Sequence, residues 1–114
     1  MIKNFYQVEP KLEAGCHGGE GVVRVANVIK EFASNIQFFH YTVLPPGATI
    51  GLHEHGNDEE FYVVLEGNGE MEVNGVVEPV TAGAVIMNPP YGTHGLRNTS
   101  DTEELRILVF EVKI

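Results

Sequence analysis

Short apolar runs, broken at near-regular intervals by glycine, proline, asparagine and aspartate, set the character of this chain. VVRVANVI, IQFFHYTVL, FYVVLEG, GEMEVNG, VVEPV, AVIMN, THGLRN and LRILVFEV are rich in β-branched and aromatic residues, and very little of the remainder reads as helix. Such punctuation predicts an all-β protein, an antiparallel sandwich or barrel. Asn74-Gly75, between MEV and VVEPV, predicts a two-residue hairpin, because a type I′ turn needs positive φ at both central positions.

Two of the runs depart from simple alternation. LRILVFEV is almost continuously apolar, whereas a strand with one wet face alternates. Both of its faces are therefore expected to be covered, one by the interior and the other by a second subunit. VVRVANVI reads similarly, and a homodimer burying an outer sheet is the expectation. The alternative is internal cover, by an N-terminal strand of the same chain.

A chain of 114 residues can bury a core without staples, and no repeat, linker or shift of composition divides it. One domain over residues 1–114 is expected, with a barrel from about residue 36 and an N-terminal strand and loop before it. The net charge of −9 argues against nucleic acid and against an anionic membrane surface, although acidic excess also serves solubility. Cys16 is the single cysteine, so no internal disulfide can form and a reducing compartment is consistent. MIKNFYQVEPK carries no apolar stretch of the kind a signal peptide or membrane span needs, which makes the cytoplasm the expected location.

The candidate chemistry is concentrated in PPGATIGLHEHGNDEEFYVVLEG and GAVIMNPPYGTHGLRN. His53 and His55 are separated by one residue, and positions i and i+2 of a strand face the same way. GNDE supplies a turn that can fold Glu60, just ahead of the next strand, back beside them. His94 follows the PPYG punctuation at the start of another strand. Three imidazoles and a carboxylate suit Mn(II), Fe(II), Ni(II), Zn(II) or Co(II), and the chain has too little sulfur for a thiolate site.

These two islands resemble the cupin motifs. The first follows G-x5-H-x-H-x4-E-x6-G with Gly47, His53, His55, Glu60 and Gly67 in register. The second, G-x5-P-x-G-x2-H-x3-N, is matched by Gly83, Pro89, His94 and Asn98, but its inner glycine is Gly92, one place late, which implies a shifted turn before His94 with the Pro89-to-His94 and His94-to-Asn98 intervals kept. The similarity runs from about Ile36 to the C-terminus. It implies an antiparallel β-barrel of the double-stranded β-helix or jelly-roll type, with one divalent metal ion on His53, His55, Glu60 and His94. Within the family the chain looks most like single-domain, oxalate-decarboxylase-like cupins. It has no insertion long enough for the lid with a catalytic glutamate found in true oxalate decarboxylases, which resemble two fused cupin domains.

Other residues carry open alternatives. His40, in IQFFHYTVL, shares a face with Thr42 and Phe38; facing inward, it would be a hydrogen-bond partner or general base near the metal, and otherwise an edge histidine. Arg106 would clamp a substrate carboxylate if Arg106, Leu108 and Phe110 face the cavity, and would be solvated if Leu105, Ile107 and Val109 do. GCHGGEG lacks the spacing of a phosphate cradle and reads as a mobile connection, with His17 either bordering the site or not. Tyr91 either borders the pocket mouth or is a turn residue.

Two functions fit. One is a small metalloenzyme, of decarboxylase, dioxygenase or isomerase type, acting on a compact carboxylate or oxo-acid. The other is a non-catalytic module that binds or senses such a small molecule.

Overall fold

The computed structural model describes all of residues 1–114. Ten strands and two short 3-10 turns, Phe5–Gln7 and Cys16–Gly18, make up its regular structure. The strands are β1 (Lys11–Ala14), β2 (Val22–Ile29), β3 (Ile36–Leu44), β4 (Thr49–Glu54) and β5 (Asp58–Glu66). They continue as β6 (Asn68–Val73), β7 (Val76–Thr81), β8 (Val85–Asn88), β9 (Thr93–Asn98) and β10 (Leu105–Lys113). Every strand pairing is antiparallel. One sheet has the order β1-β2-β3-β10-β5-β8 and the other β4-β9-β6-β7. No helix is long and apolar enough to cross a membrane.

The two sheets face each other over one apolar core. Leu44, Tyr62, Val64, Leu105 and Ile107 enter it from the larger sheet, and Ile50, Met71 and Leu96 from the smaller. Along β10 the inward set is Leu105, Ile107 and Val109, so Arg106, Leu108 and Phe110 face outward. Part of that outer face is covered by the chain itself: Phe5 and Val8 pack on a second cluster of Ala26, Val28, Tyr41 and Val43. Internal cover thus accounts for some of the apolar outer surface that the sequence left to a partner.

The turns explain the glycines of the motifs. Asn74 and Gly75 both take positive φ, 49° and 82°, as a type I′ hairpin between β6 and β7 requires. Pro45–Ala48 forms a turn closed by Ala48 N–H donating to Pro45 O, with Gly47 at φ 75°. Pro89–Gly92 repeats this arrangement, with Gly92 N–H donating to Pro89 O, but here Tyr91 holds the positive φ, 58°.

Candidate metal centre

Each member of the cluster comes from a different local cause. His53 lies near the end of β4 and pairs directly with His94 on β9, which places both rings on the inner face of the smaller sheet. Glu60 enters from β5 of the opposite sheet and is buried, as is His94. His55 falls just past the end of β4, in a turn confined to residues 55–57, so Asp58 and Glu59 already belong to β5. That turn is held to the loop before β9 by His55 N–H donating to Gly92 O and Tyr91 N–H donating to Gly56 O.

The four side chains converge. One ligand atom from each of His53, His55, Glu60 and His94 lies within 4.8 Å of all the others. Nε2 of His53 is 3.2 Å from Nε2 of His55, and Nε2 of His94 is 2.8 Å from Oε1 of Glu60. His55 Nε2 is 3.5 Å from the same carboxylate oxygen. Donors about 2.1 Å from a shared ion stand roughly 3–3.4 Å apart at octahedral to tetrahedral angles, so the spacing suits one small ion.

Proton bookkeeping points the same way. His53 Nδ1 lies 2.7 Å from the Gly51 carbonyl, which only accepts, so the proton sits on Nδ1 and Nε2 carries a lone pair. Burial, followed by the neighbouring imidazoles, pushes the His53 pKa down to about 4, which keeps the ring neutral. His55 Nδ1 donates to Asp58 Oδ1 at 2.8 Å, with Glu111 Oε1 at 3.2 Å. The Nε2 atoms of both rings are thereby left to point at the shared centre, 3.2 Å apart. A cation held there would take both nitrogens as ligands, and the carboxylates behind His55 orient its ring for that. Burial raises the Glu111 pKa, reinforced by Asp58 and Glu60 and opposed by His55. Asn88, opposite Glu60 in the sheet, is buried with both amide atoms unpaired, and His94 Nδ1 is unpaired too.

A cavity of about 180 Å³ reaches the cluster at Glu60, with Ile50 beside it in the wall. Phe38, His40 and Thr42 line it from β3, confirming that these three share the inner face. Val25, Tyr62 and Val109 complete the larger sheet's wall, and Glu13, Cys16 and His17 close it from the N-terminal segment. Burial lowers the His40 pKa, so this ring is held neutral. Burial, helped by a hydrogen bond with Glu13, pushes the Cys16 pKa up to about 12, so it stays a thiol and not a metal ligand. Tyr62 is raised well above its ordinary value by burial and by Glu60, and remains a phenol. No lysine or arginine lines the cavity. A groove of similar size on the outside of the smaller sheet contains none of the four clustered residues.

Arg106 is not brought to this site. Its guanidinium lies outside the larger sheet, donating to the Tyr41 hydroxyl and to Glu104 at 2.5 and 2.6 Å. The role of carboxylate clamp that the sequence offered it required the other face of β10. Tyr91 is exposed in its turn and does not line the cavity. His17 does line it, stacked on His53 with ring centroids 3.7 Å apart and planes 8° from parallel. Sequence reasoning missed Glu13, Cys16, Tyr62 and Asn88. Of these only Tyr62 carried a signal, as the inward i+2 neighbour of Glu60 on one strand.

Two facing antiparallel sheets, with three imidazoles and a carboxylate gathered between them, define a β-sandwich with a cluster that could hold a metal ion. Residues 40–111 match the Cupin domain family, and the chain belongs to that family. It is 30% identical over 105 residues to an oxalate-binding protein of Thermotoga maritima, spanning 90% of this chain and 87% of that protein. The crystal structure of a protein described as a predicted oxalate decarboxylase, also from Thermotoga maritima, superposes over the whole of both chains with a TM-score of 0.96 at 30% identity. A 5-nitrosalicylic acid 1,2-dioxygenase of a Bradyrhizobium species is 28% identical over 72 residues, 63% of this chain and 34% of that enzyme.

Proposed function

We propose that this cupin uses His53, His55, Glu60 and His94 to hold one divalent transition metal and binds a compact dicarboxylate or oxo-acid, such as oxalate, in the adjoining cavity. The observation that carries the reading is the convergence of four ligand atoms within 4.8 Å of one another, two of them Nε2 atoms whose rings are already engaged at Nδ1 by Gly51 O and Asp58. A divalent ion held there supplies positive charge and free positions for an oxygen chelate. The protein supplies the rest. Phe38, Val25, Ile50 and Val109 exclude water, and His40, Thr42 and Tyr62 offer polar contacts to a small ligand. A space of about 180 Å³ is below the roughly 300–1,000 Å³ of drug-sized pockets, so the ligand must be small. The oxalate-binding relative supports the same ligand class.

Because no lysine or arginine reaches the cavity, anion binding by this chain should depend on the metal. Calorimetric titration of oxalate into Mn(II)-loaded protein should give saturable one-site binding, and chelator-treated protein should give none. Equal binding with and without metal would refute the assignment.

A second reading is enzymatic, with turnover of the bound acid by decarboxylation, dioxygenation or isomerisation. It is favoured by His40 in the cavity wall, a neutral imidazole placed to accept a proton, and by the similarity to a dioxygenase. Oxygen uptake or product formation with dicarboxylates, keto acids and catechols, lost in His40→Ala with metal binding retained, would establish it. The protein is further proposed to work as a homodimer, in the cytoplasm, through the outer face of its larger sheet.

A further inference from the structure

The segment 15–21 was expected to be a mobile connection, yet it is anchored tightly against the metal-site strand. Gly15 N–H donates to Gly21 O and closes the loop. Glu20 N–H donates to Thr49 Oγ1 at 2.7 Å, and Thr49 N–H returns to Glu20 O at 2.9 Å. The two backbones meet glycine against glycine. A Cβ added at Gly51 would lie 2.2 Å from the His17 carbonyl oxygen, and one added at Gly19 would lie 2.4 Å from the Thr49 carbonyl oxygen. No side chain fits between the loop and β4, two residues before His53.

Four residues of this loop take positive φ: Gly15 at 64°, His17 at 50°, Gly18 at 75° and Gly21 at 73°. Three are glycine, the residue that adopts this region freely. At position 17 the chain carries a side chain in a conformation where L-residues are strained, and strain of this kind accumulates where function demands a particular side-chain placement. The side chain so placed is an imidazole on the cavity wall, flat against His53. His53 and His55 engage both ring nitrogens and His94 its Nε2, whereas the ring of His17, exposed at the cavity rim, makes no hydrogen bond within the protein.

We propose that His17 is a ligand-contacting residue, which donates a ring N–H to the acid held in the cavity. This rests on the function proposed above and adds the residue that grips the ligand. In a cavity without lysine or arginine, the ring N–H groups of His17 and His40 are what the chain itself can offer a carboxylate oxygen, and of the two His17 lies against a ring of the metal cluster. Stacking on His53 fixes the ring plane, and the pinned loop fixes the ring position, so the donor is preorganised.

Two variants separate gripping from stacking. His17→Phe keeps a flat ring over His53 and removes the N–H groups, while His17→Gly removes the ring and relieves the backbone, so it should fold at least as well. Both are loaded with Mn(II), Mn(II) affinity is measured by chelator competition, and oxalate is titrated in. Loss of one hydrogen bond to a charged group should weaken oxalate binding about tenfold or more in both variants. Mn(II) affinity should stay within about twofold of the wild-type value, because second-layer ligand positioning would cost about 10–100-fold. Oxalate binding as strong in His17→Phe as in wild type would overturn the assignment, since stacking alone would then suffice. A parallel loss of Mn(II) affinity would also overturn it, by making His17 a support for His53. Wild-type protein that takes up Mn(II) but no oxalate would instead overturn the proposed function, and this inference with it.

Discussion

Tyr91 shows how a single residue can sit against the local rule. It occupies the place where the second cupin motif carries glycine, and it adopts the positive φ that a glycine there would provide. Contrary to what the late Gly92 implied, the turn is not shifted; it keeps the motif's place, with a strained residue in it. Nothing in the surroundings compensates, since the side chain is 65% exposed. Tyr91→Gly should relieve a strain of about 1–2 kcal/mol and return part of it as added freedom of the unfolded chain, for a net stabilisation of about 0.5–1 kcal/mol. Denaturant unfolding checks this, with an unchanged or lower midpoint as the contrary result. At this scale the four clustered residues were legible in the sequence, because strand spacing, a short turn and a hairpin pairing act locally. Glu13 and Cys16 were not, since their approach to the cavity depends on the folding back of a segment that no local pattern encodes.

Among the elements, β9 is tied to its surroundings by Asn98, the last residue of the second motif. The side chain is buried; its Nδ2 donates to Leu44 O at 3.0 Å and to Glu103 O at 2.8 Å, while its Oδ1 accepts from Ser100 N–H. The end of β3, the end of β9 and the loop before β10 are thus fastened by one amide. Asn98→Ala should cost about 2–3 kcal/mol, as polar groups of a part-buried network lose their partners. The folded fraction should still bind Mn(II), because the four clustered residues are untouched; thermal unfolding together with metal titration tests both halves. Most strands followed from the apolar runs, and β2, β3 and β9 match them residue for residue. β1 escaped notice because KLEA is exposed at all four positions and leaves no alternation to read. The loop after it was misjudged for a related reason. Glycines signal freedom in a sequence, but Gly19 and Gly51 are instead used for close contact between two backbones.

For the whole molecule, the open question raised by the sequence is what covers the outside of the larger sheet. Phe5 and Val8 cover one end, over Tyr41 and Val43. Across the rest, Phe39, Phe110 and Phe61 form a row on β3, β10 and β5, with ring centroids 5.6 and 4.9 Å apart. Beyond them on β8 stand Met87 and Val85, 59% and 67% exposed. Apolar surface left in water is unfavourable by roughly 25 cal/mol per Å², and a contiguous patch of this kind marks an association surface. A second copy of the chain offers the same patch, which is the self-complementarity a two-fold dimer requires. Sedimentation at micromolar concentration should therefore report a dimer. Met87→Lys places a charge opposite Phe61 at the β8 edge of that face and should shift the protein toward monomer, while its Mn(II) affinity stays as in wild type because the four clustered residues lie on the other side of the sheet. A wild-type protein that sediments as a monomer would mean that the aromatic row is stable in water as it stands, covered by nothing beyond its own stacking.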